Sequence, residues 1–584
     1  MRIAAIPIRV TDCCIPLAGE TSNPLPYHCC SEKNADFARV LPPLSGDDRV
    51  IPDCISFASI PHSTRLFQDF LSYSPEIRRF FPHLSDPGHI AAFAKSVLRD
   101  RERQAKVADA LERQNRAWGA SDSTLQNIQR LRNGAFAVVT GQQVGLFGGP
   151  LMSLLKAASV LALATQVEAM GVQCVPVFWL ASEDHDLAEV NQALLLASDF
   201  QLAAFTAPTT GIEGAPVSTL HFAEGMDAVV EQAAALLGES LAADFLRESY
   251  TEGETFSNAY AKLLTRMFRD HGLILLDPAD AELHRVAIPL FLDAALRCAE
   301  LDDAVLARNR ELQAGGYHEQ VKVTGESTPL FALANGARVA VHRGNGGFTI
   351  GREVVSGENL QRRIEDHPES FSANVLLRPV LQDYWLPTLA YIGGPAEIAY
   401  FAQAAVVYEK LLGRVTPIVS RLSATLIEPR IERLLTKYGI ELPELFHGEC
   451  QLRDCIAARA LPARLREDFE QARTSIERSM QDVSGSLQKL DPTLVEAAGR
   501  AASKMRYQIN RLEKRAAQAE LRRNDVISRH AAQIENTLYP HKSLQEREIA
   551  GLYFFAKYGP PLIEQLIALA QARCPEHKVL VLQP

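Results

Sequence analysis

The period of the hydrophobic positions changes several times along the chain, and each change predicts an element. Between residues 62 and 132 apolar positions recur at helical spacing, with Phe67, Phe70 and Leu71 on one stripe and Ile90, Phe93, Ala94 and Val97 on another. At Ala135 the pattern breaks. AFAVVT (135–140) is a short Val-rich run of the kind a buried strand needs, and GQQVGLFGGP (141–150) is a glycine-rich loop. Residues 151–170 then read as one helix with Pro150 at its mouth, where a missing N–H costs nothing. CVPVFWLA (174–181) is a second buried strand that ends in the acidic cluster Ser182 to Asp186. Strand, turn, helix, strand is a βαβ unit, which implies a parallel sheet and a right-handed crossover. LILLDPAD (273–280) predicts a third strand, followed by a helix over 281–313.

The segments VKV, LFAL, ARVAVH and GFTI, between residues 320 and 350, are short and parted by Gly and Asn. They predict a small antiparallel insertion at about 316–352. NVLLRPVLQDYWLP and RVTPIVSRLSATLI return to core-like apolar runs, with a Gly-Gly turn leading into a helix between them. Beyond residue 430 the period becomes heptad. Leu465, Phe469, Ala472, Ile476, Met480, Val483, Leu487 and Leu490 form one seam. Leu494, Ala498, Ala501, Met505, Ile509, Leu512, Ala516, Ala519 and Val526 form a second, and Asp491-Pro492 is placed to cap it. Two seams joined by one turn predict an antiparallel helical hairpin. The fold class read from this pattern is α/β: a Rossmann-like parallel-sheet core with small connective insertions and a long antiparallel coiled-coil arm. The divisions are an irregular segment 1–60, a helical part 61–134, the core 135–429, the arm 430–544, and a C-terminal helix and strand, 545–584, that rejoin the core.

Composition narrows this picture more than it extends it. The 584 residues carry a net charge of −10, which leaves no overall electrostatic footprint for nucleic acid. The basic residues Arg500 to Arg523 are interspersed with Glu513 and Glu520, as on a solvated coiled-coil face. No window approaches the roughly 20 apolar residues of a membrane helix, and the first residues make a poor signal peptide. Ten cysteines scattered through a long chain read as reduced thiols, consistent with a cytoplasmic protein. Cys13-Cys14 and Cys29-Cys30 lack the C-x₂-C spacing of zinc modules, so no metal site is expected there.

Three segments carry candidate chemistry. The loop Thr140–Pro150 follows a strand and precedes a helix, at the sheet edge where open α/β folds bind ligands. Gln142 and Gln143, with the amides around Gly145, Phe147 and Gly149, would hold an anion at the helix N-terminus. The spacing is neither G-x-G-x-x-G nor Walker A, and a tight structural turn is the competing reading. Glu183, Asp184, His185 and Asp186 end the next strand. A His flanked by carboxylates can be oriented as a general base, with a solvated acidic turn or a divalent-metal site as competitors. The third segment runs from Arg378 to Gln403. Arg378, Gln382 and Asp383 lie in an otherwise apolar stretch, and Gly393, Gly394 and Glu397 open a helix. Arg378 or Arg421 would hold a carboxylate in bidentate fashion. The competing reading is a domain-packing segment with internal salt bridges.

Taken in order, TGQQVGLFGGP, VPVFWLASEDHDLAEVN, GYHEQVKV, RPVLQDYWLPTLAYIGGPAEIAYFAQ and PIVSRLSATLIE closely resemble the bacillithiol biosynthesis BshC family of cysteine-adding enzymes. LQEREIAGLYFFAKYGPPLIEQL and EHKVLVL extend the resemblance almost to the C-terminus. It implies a Rossmann core like that of class I aminoacyl-tRNA synthetases, a coiled coil used in homodimerisation, and addition of cysteine to the glucosamine amine of glucosaminyl-malate. A carboxylate is a poor electrophile, so activation by ATP or another adenine nucleotide is expected. Two other readings stay open: a synthetase-like nucleotidyl-transfer enzyme acting on another acid, and a coiled-coil scaffold with an inactive core.

Overall fold

The computed structural model describes residues 53–344, 346–446, 452–572 and 574–583. The reading of residues 1–52, with the cysteine pairs at 13–14 and 29–30, lies outside the described residues. Helices Arg65–Ser72, Arg101–Ala117 and Asp122–Arg132 precede the core and start on Thr64, Asp100 and Ser121. The first two are capped by side-chain oxygens that accept a backbone N–H, as the helix-start rules require.

The core then follows in chain order. β1 (Phe136–Gln142) leads through the loop into α1 (Met152–Ala169) and β2 (Cys174–Leu180). β3 (Ile274–Leu276) precedes α2 (Ala281–Leu296) and α3 (Cys298–Ala314). The single helix expected over 281–313 is therefore two, parted at Arg297. The insertion is β4 (Ser327–Ala334), β5 (Ala337–Gly344), β6 (Gly347–Ile350), β7 (Glu353–Val355) and β8 (Phe371–Ala373). α4 (Arg378–Trp385), β9 (Thr388–Gly393), α5 (Pro395–Leu412), β10 (Ile418–Ser420) and β11 (Ala424–Ile427) return to the core. The arm holds α6 (Ala463–Leu490), α7 (Leu494–Arg523) and α8 (Asp525–Leu538), and the last strand is β12 (His577–Val581).

The five core strands run in the order β10-β9-β1-β2-β3, and every neighbouring pair is parallel. β1 is central. The chain steps from it to β2 on one side, while β9 lies on the other, so the strand order reverses at β1. Crevices for ligands open at the carboxyl ends of the strands at such a reversal. α1 is apolar around most of its circumference and is buried to match, with helix Pro560–Gln571 packed along it.

Several expectations are corrected. The insertion runs from 327 to 373 in the order β7-β6-β5-β4-β8, further along the chain than 316–352. Val321–Val323 is not a strand. The amides of Gln320 and Val321 donate to the Gln403 side-chain oxygen, which supplies the pairing a neighbouring strand would give. β12 rejoins through β11 and the short strand Cys54–Ile55 in a separate three-stranded sheet, not through the parallel core sheet. Asp491 caps the turn, not the helix: its carboxylate accepts from Thr493, and α7 starts one residue later. The hairpin α6–α7 forms as expected. It buries Phe469, Ala498 and Ala517 but leaves Leu490, Met505 and Leu512 exposed. The expectation of reduced cysteines fails at Cys455, which is disulfide-bonded, while Cys174, Cys298 and Cys574 are free thiols. No helix among the described residues is long and apolar enough to cross a membrane.

Candidate active site

The carboxyl ends of β1 and β2, the start of α5 and one edge of the insertion enclose a cavity of about 700 Å³. All three sequence segments reach it. Gln142 and Gln143 come from the first, Glu183, Asp184 and His185 from the second, and Arg378, Gly394 and Glu397 from the third; Arg421 also lines it. These groups lie far apart in the chain; those that follow β1, β2, β9 and β10 converge because parallel strands deliver their carboxyl ends to one edge, whereas Arg378 arrives at the start of α4, directly after the insertion.

One wall is cationic and aromatic. The Arg378 guanidinium lies 5.1 Å from the Tyr391 ring centroid and 5.6 Å from that of Trp179, and it donates to the Tyr400 hydroxyl at 3.1 Å. Lys156, on α1, is 4% exposed. Its Nζ lies 2.6 Å from both the Gly141 carbonyl oxygen and Glu397 Oε2. Burial alone would raise the Glu397 carboxyl. Lys156, the Gly394 amide at 2.7 Å and the Tyr391 hydroxyl at 2.5 Å outweigh it and hold Glu397 below the ordinary range. Arg421 is committed elsewhere: its Nη2 lies 2.6 Å from Glu546 Oε1, and both side chains are buried. That pairing overcomes burial and holds Glu546 at about 2. Arg421 therefore ties the core to the C-terminal region, and Arg378 is the better placed of the two to meet a carboxylate.

A second wall is acidic. The Gln143 side-chain amide donates to Asp184 at 3.1 Å and Glu189 at 2.7 Å, joining the two strand-end loops. Glu183 Oε1 lies 2.9 Å from Nε2 of the buried His284, whose Nδ1 faces the Pro368 carbonyl oxygen at 2.9 Å. Burial would lower this imidazole, but Glu183 and the two backbone carbonyls around the ring raise it to about 9. His284 is thus a cation that fixes Glu183 in the cavity wall. Asp302 also lines the cavity, and burial pushes it up to about 6.

Seven predicted residues do not line the cavity. At Gly145, Phe147 and Gly149 the tight-turn reading prevails, because the loop's amides are engaged within the turn and by the packed Tyr250 hydroxyl. Gly145 N donates to Gln143 O, Gly149 N to Leu146 O and Gly148 N to the Tyr250 hydroxyl. A Cβ on Gly145 would sit 2.9 Å from the Gly149 Cα, and Phe147 itself adopts φ 54° while fully buried. Asp186 caps a short helix through the Glu189 amide. Asp383 is paired with Arg414 at 3.2 Å, and Gln382 bridges Arg378 and Asp383. Gly393 only allows close approach, since a Cβ there would meet the Glu397 Cβ at 3.0 Å. Among the described residues no group of three His, Cys, Asp or Glu side chains is placed to hold a metal ion.

Lys156, Arg338, Phe331, Tyr391, Tyr400 and Arg547 line the cavity and were missed. Lys156 had a usable signal: it is the one charge within LMSLLKAASVLALAT, where an unpaired ammonium would be costly. Arg338 and Arg547 had none, for they sit in a strand whose neighbours look exposed and in a short helix, Gln545–Glu548, of polar and charged residues only.

Comparison with known proteins agrees with this architecture. Residues 52–422 match the family model described as "Bacillithiol biosynthesis BshC, N-terminal Rossmann-like domain". Residues 424–582 match "Bacillithiol biosynthesis BshC, C-terminal coiled-coil domain". A protein of Koribacter versatilis named "Putative cysteine ligase BshC" is 52% identical over 91% of this chain and 100% of its own length. A protein of the same name from Solibacter usitatus is 35% identical over 90% of this chain and 99% of its own. The chain belongs to the BshC family.

Proposed function

We propose that this BshC-family chain is a cysteine ligase that joins the cysteine carboxyl group to the glucosamine amine of glucosaminyl-malate, forming bacillithiol. The observation that carries the reading is the pairing of two unlike walls in one cavity at the strand reversal. The Arg378 wall suits carboxylate or phosphate oxygens, and the Glu183–Asp184–His185 wall suits an amine and its proton. The scaffold reading is disfavoured, since ion pairs buried at this depth are retained at a cost in stability that packing alone does not require.

The carboxyl group must first be activated, and the reading uses a nucleoside triphosphate, ATP or a related adenine nucleotide, giving an acyl phosphate or acyl adenylate. Gln142 and Arg378 hold the anionic part, while Gln143 stays engaged with Asp184 and Glu189. Arg547 reaches the same cavity from the C-terminal region and extends the cationic wall. The amine nitrogen then attacks the acyl carbon, its proton passes to the acidic wall, and the phosphate group leaves with the electrons of the broken C–O bond. Cysteine and nucleoside triphosphates are cytoplasmic metabolites, so the reading assigns the enzyme to the cytoplasm. The exposed apolar residues of the arm, Leu490, Met505 and Leu512, form the surface through which a homodimer assembles.

The test is reconstitution. Purified protein, cysteine, glucosaminyl-malate and ATP are incubated, and thiol products are followed by mass spectrometry together with phosphate or AMP release. Bacillithiol formed in proportion to nucleotide consumed supports the reading. Nucleotide consumption with another acid but not with cysteine would replace it with the synthetase-like alternative.

A further inference from the structure

We propose that Arg338 holds His185 in the Nε2–H tautomer, so that the imidazole faces substrate as a hydrogen-bond donor and not as a base. The claim about catalysis rests on the ligase reading above. The claim about the tautomer stands on the geometry alone.

Arg338 lies on β5 of the insertion, and its side chain is 9% exposed. It is fixed at three points before it meets His185. Nε donates to Ser372 Oγ at 2.9 Å, Nη2 donates to the Ala373 carbonyl oxygen at 2.9 Å, and the guanidinium lies 3.9 Å from the Phe331 ring centroid. The remaining nitrogen, Nη1, lies 3.3 Å from His185 Nδ1 with hydrogen-bond geometry. A guanidinium has donors only, so the partner nitrogen must offer a lone pair. A neutral imidazole with its lone pair at Nδ1 carries its hydrogen on Nε2.

One other group competes for Nδ1. Asp184 Oδ1 lies 3.5 Å away and would favour the opposite tautomer. That oxygen already accepts the His185 backbone N–H at 2.8 Å and lies 3.8 Å from Arg338 Nη1. The shorter and better-aligned contact therefore belongs to Arg338. With Nδ1 engaged, Nε2–H is the ring function left to the cavity that His185 lines.

The consequence is a division of labour on the acidic wall. As the amine nitrogen bonds to the acyl carbon, the carbonyl π pair moves onto oxygen, and His185 Nε2–H donates to that oxygen. The proton released by the amine passes to a carboxylate of the wall, Glu183 or Asp184. Collapse of the intermediate breaks the bond to the phosphate leaving group. His185 touches the reacting atoms, and Arg338 is a positioning residue that acts through it.

Two measurements on the full chain test this. Ring-¹⁵N-labelled histidine reports the tautomer through two-bond ¹H–¹⁵N couplings, with the His185 signals assigned by their loss in His185→Gln. The Nε2–H pattern is expected in the unmutated protein, and tautomer exchange is expected in Arg338→Gln; the Nδ1–H pattern in the unmutated protein overturns the proposal. In the ligation assay, Gln places a donor near the Nε2 position but has no basic nitrogen. His185→Gln is expected to stay within about tenfold of normal turnover while His185→Ala loses about 10²–10³-fold, the usual cost of an oxyanion donor. Arg338→Gln should lower kcat with little change in KM. Equal inactivity of the Gln and Ala variants would make His185 a base and overturn the donor role. Absence of ligation by the unmutated protein would overturn the ligase reading, while the ring couplings still decide the tautomer.

Discussion

The pair formed by Glu183 and His284 gives the sharpest stability test. His284 is 3% exposed and would be neutral if burial alone acted on it, yet Glu183 at 2.9 Å raises it to about 9. A rise from the ordinary 6.5 to about 9 corresponds to about 3 kcal/mol of preferential stabilisation of the protonated fold. The sign follows from linkage. The folded state binds the proton more tightly than the unfolded chain, so the contribution is complete below pH 6.5 and is lost as pH rises through about 9. His284→Gln removes the charge but keeps a neutral side chain of similar reach. The melting temperatures of the two proteins, measured by calorimetry from pH 6 to pH 10, should differ most at the acid end and converge near pH 10. A gap that does not change with pH would mean that His284 is neutral in the fold, and the account of how Glu183 is held in the cavity wall would fall with it. Because Glu183 lines the cavity, the same variant should also lose ligation activity at pH 7.

Three further outcomes are expected. Arg378→Lys keeps a charge but loses the planar fork between Tyr391 and Trp179, and should reduce kcat/KM by about a hundredfold in the ligation assay without altering thermal stability. Asp383→Asn breaks a buried pair with Arg414 outside the cavity, and should cost about 3–5 kcal/mol in denaturant unfolding while the surviving folded protein keeps its KM. Leu512→Asp, at a position 55% exposed on the arm, should lower the mass seen by light scattering from dimer to monomer and leave the circular dichroism helix signal unchanged, since the charge replaces a residue that packs little within its own chain.

Much of the architecture was legible because it is written in local periodicity. The run from Ala135 to Leu180 has the lengths and composition of strand, turn, helix and strand, and it folds as β1, α1 and β2. The arm was equally plain from its heptads. The three segments that meet in the cavity were also identifiable, since parallel strands leave little choice about which edge their following loops occupy. The failures have a common form. The glycine loop reads the same whether its amides face a ligand or acceptors of the protein itself, and the contact of Gly148 with Tyr250, 102 residues away, selects the second. Gln382 and Asp383 signalled that buried polar groups need partners, but not that those partners would be Arg378 for the first and Arg414 for the second instead of a substrate.

From its sequence alone, then, this chain is an α/β protein with a parallel core, a helical arm and polar groups at the strand ends, and its long motifs place it beside the BshC family. Those properties depend on neighbours within a few residues, or on patterns repeated over one element. What the tertiary structure decided is which charge meets which. Arg338 finds His185 across 153 residues, and Arg421 finds Glu546 across 125. Periodicity reports whether a side chain is turned inward. It carries no information on which distant group shares that interior, and the strength and direction of every electrostatic effect in the cavity depend on that second distance.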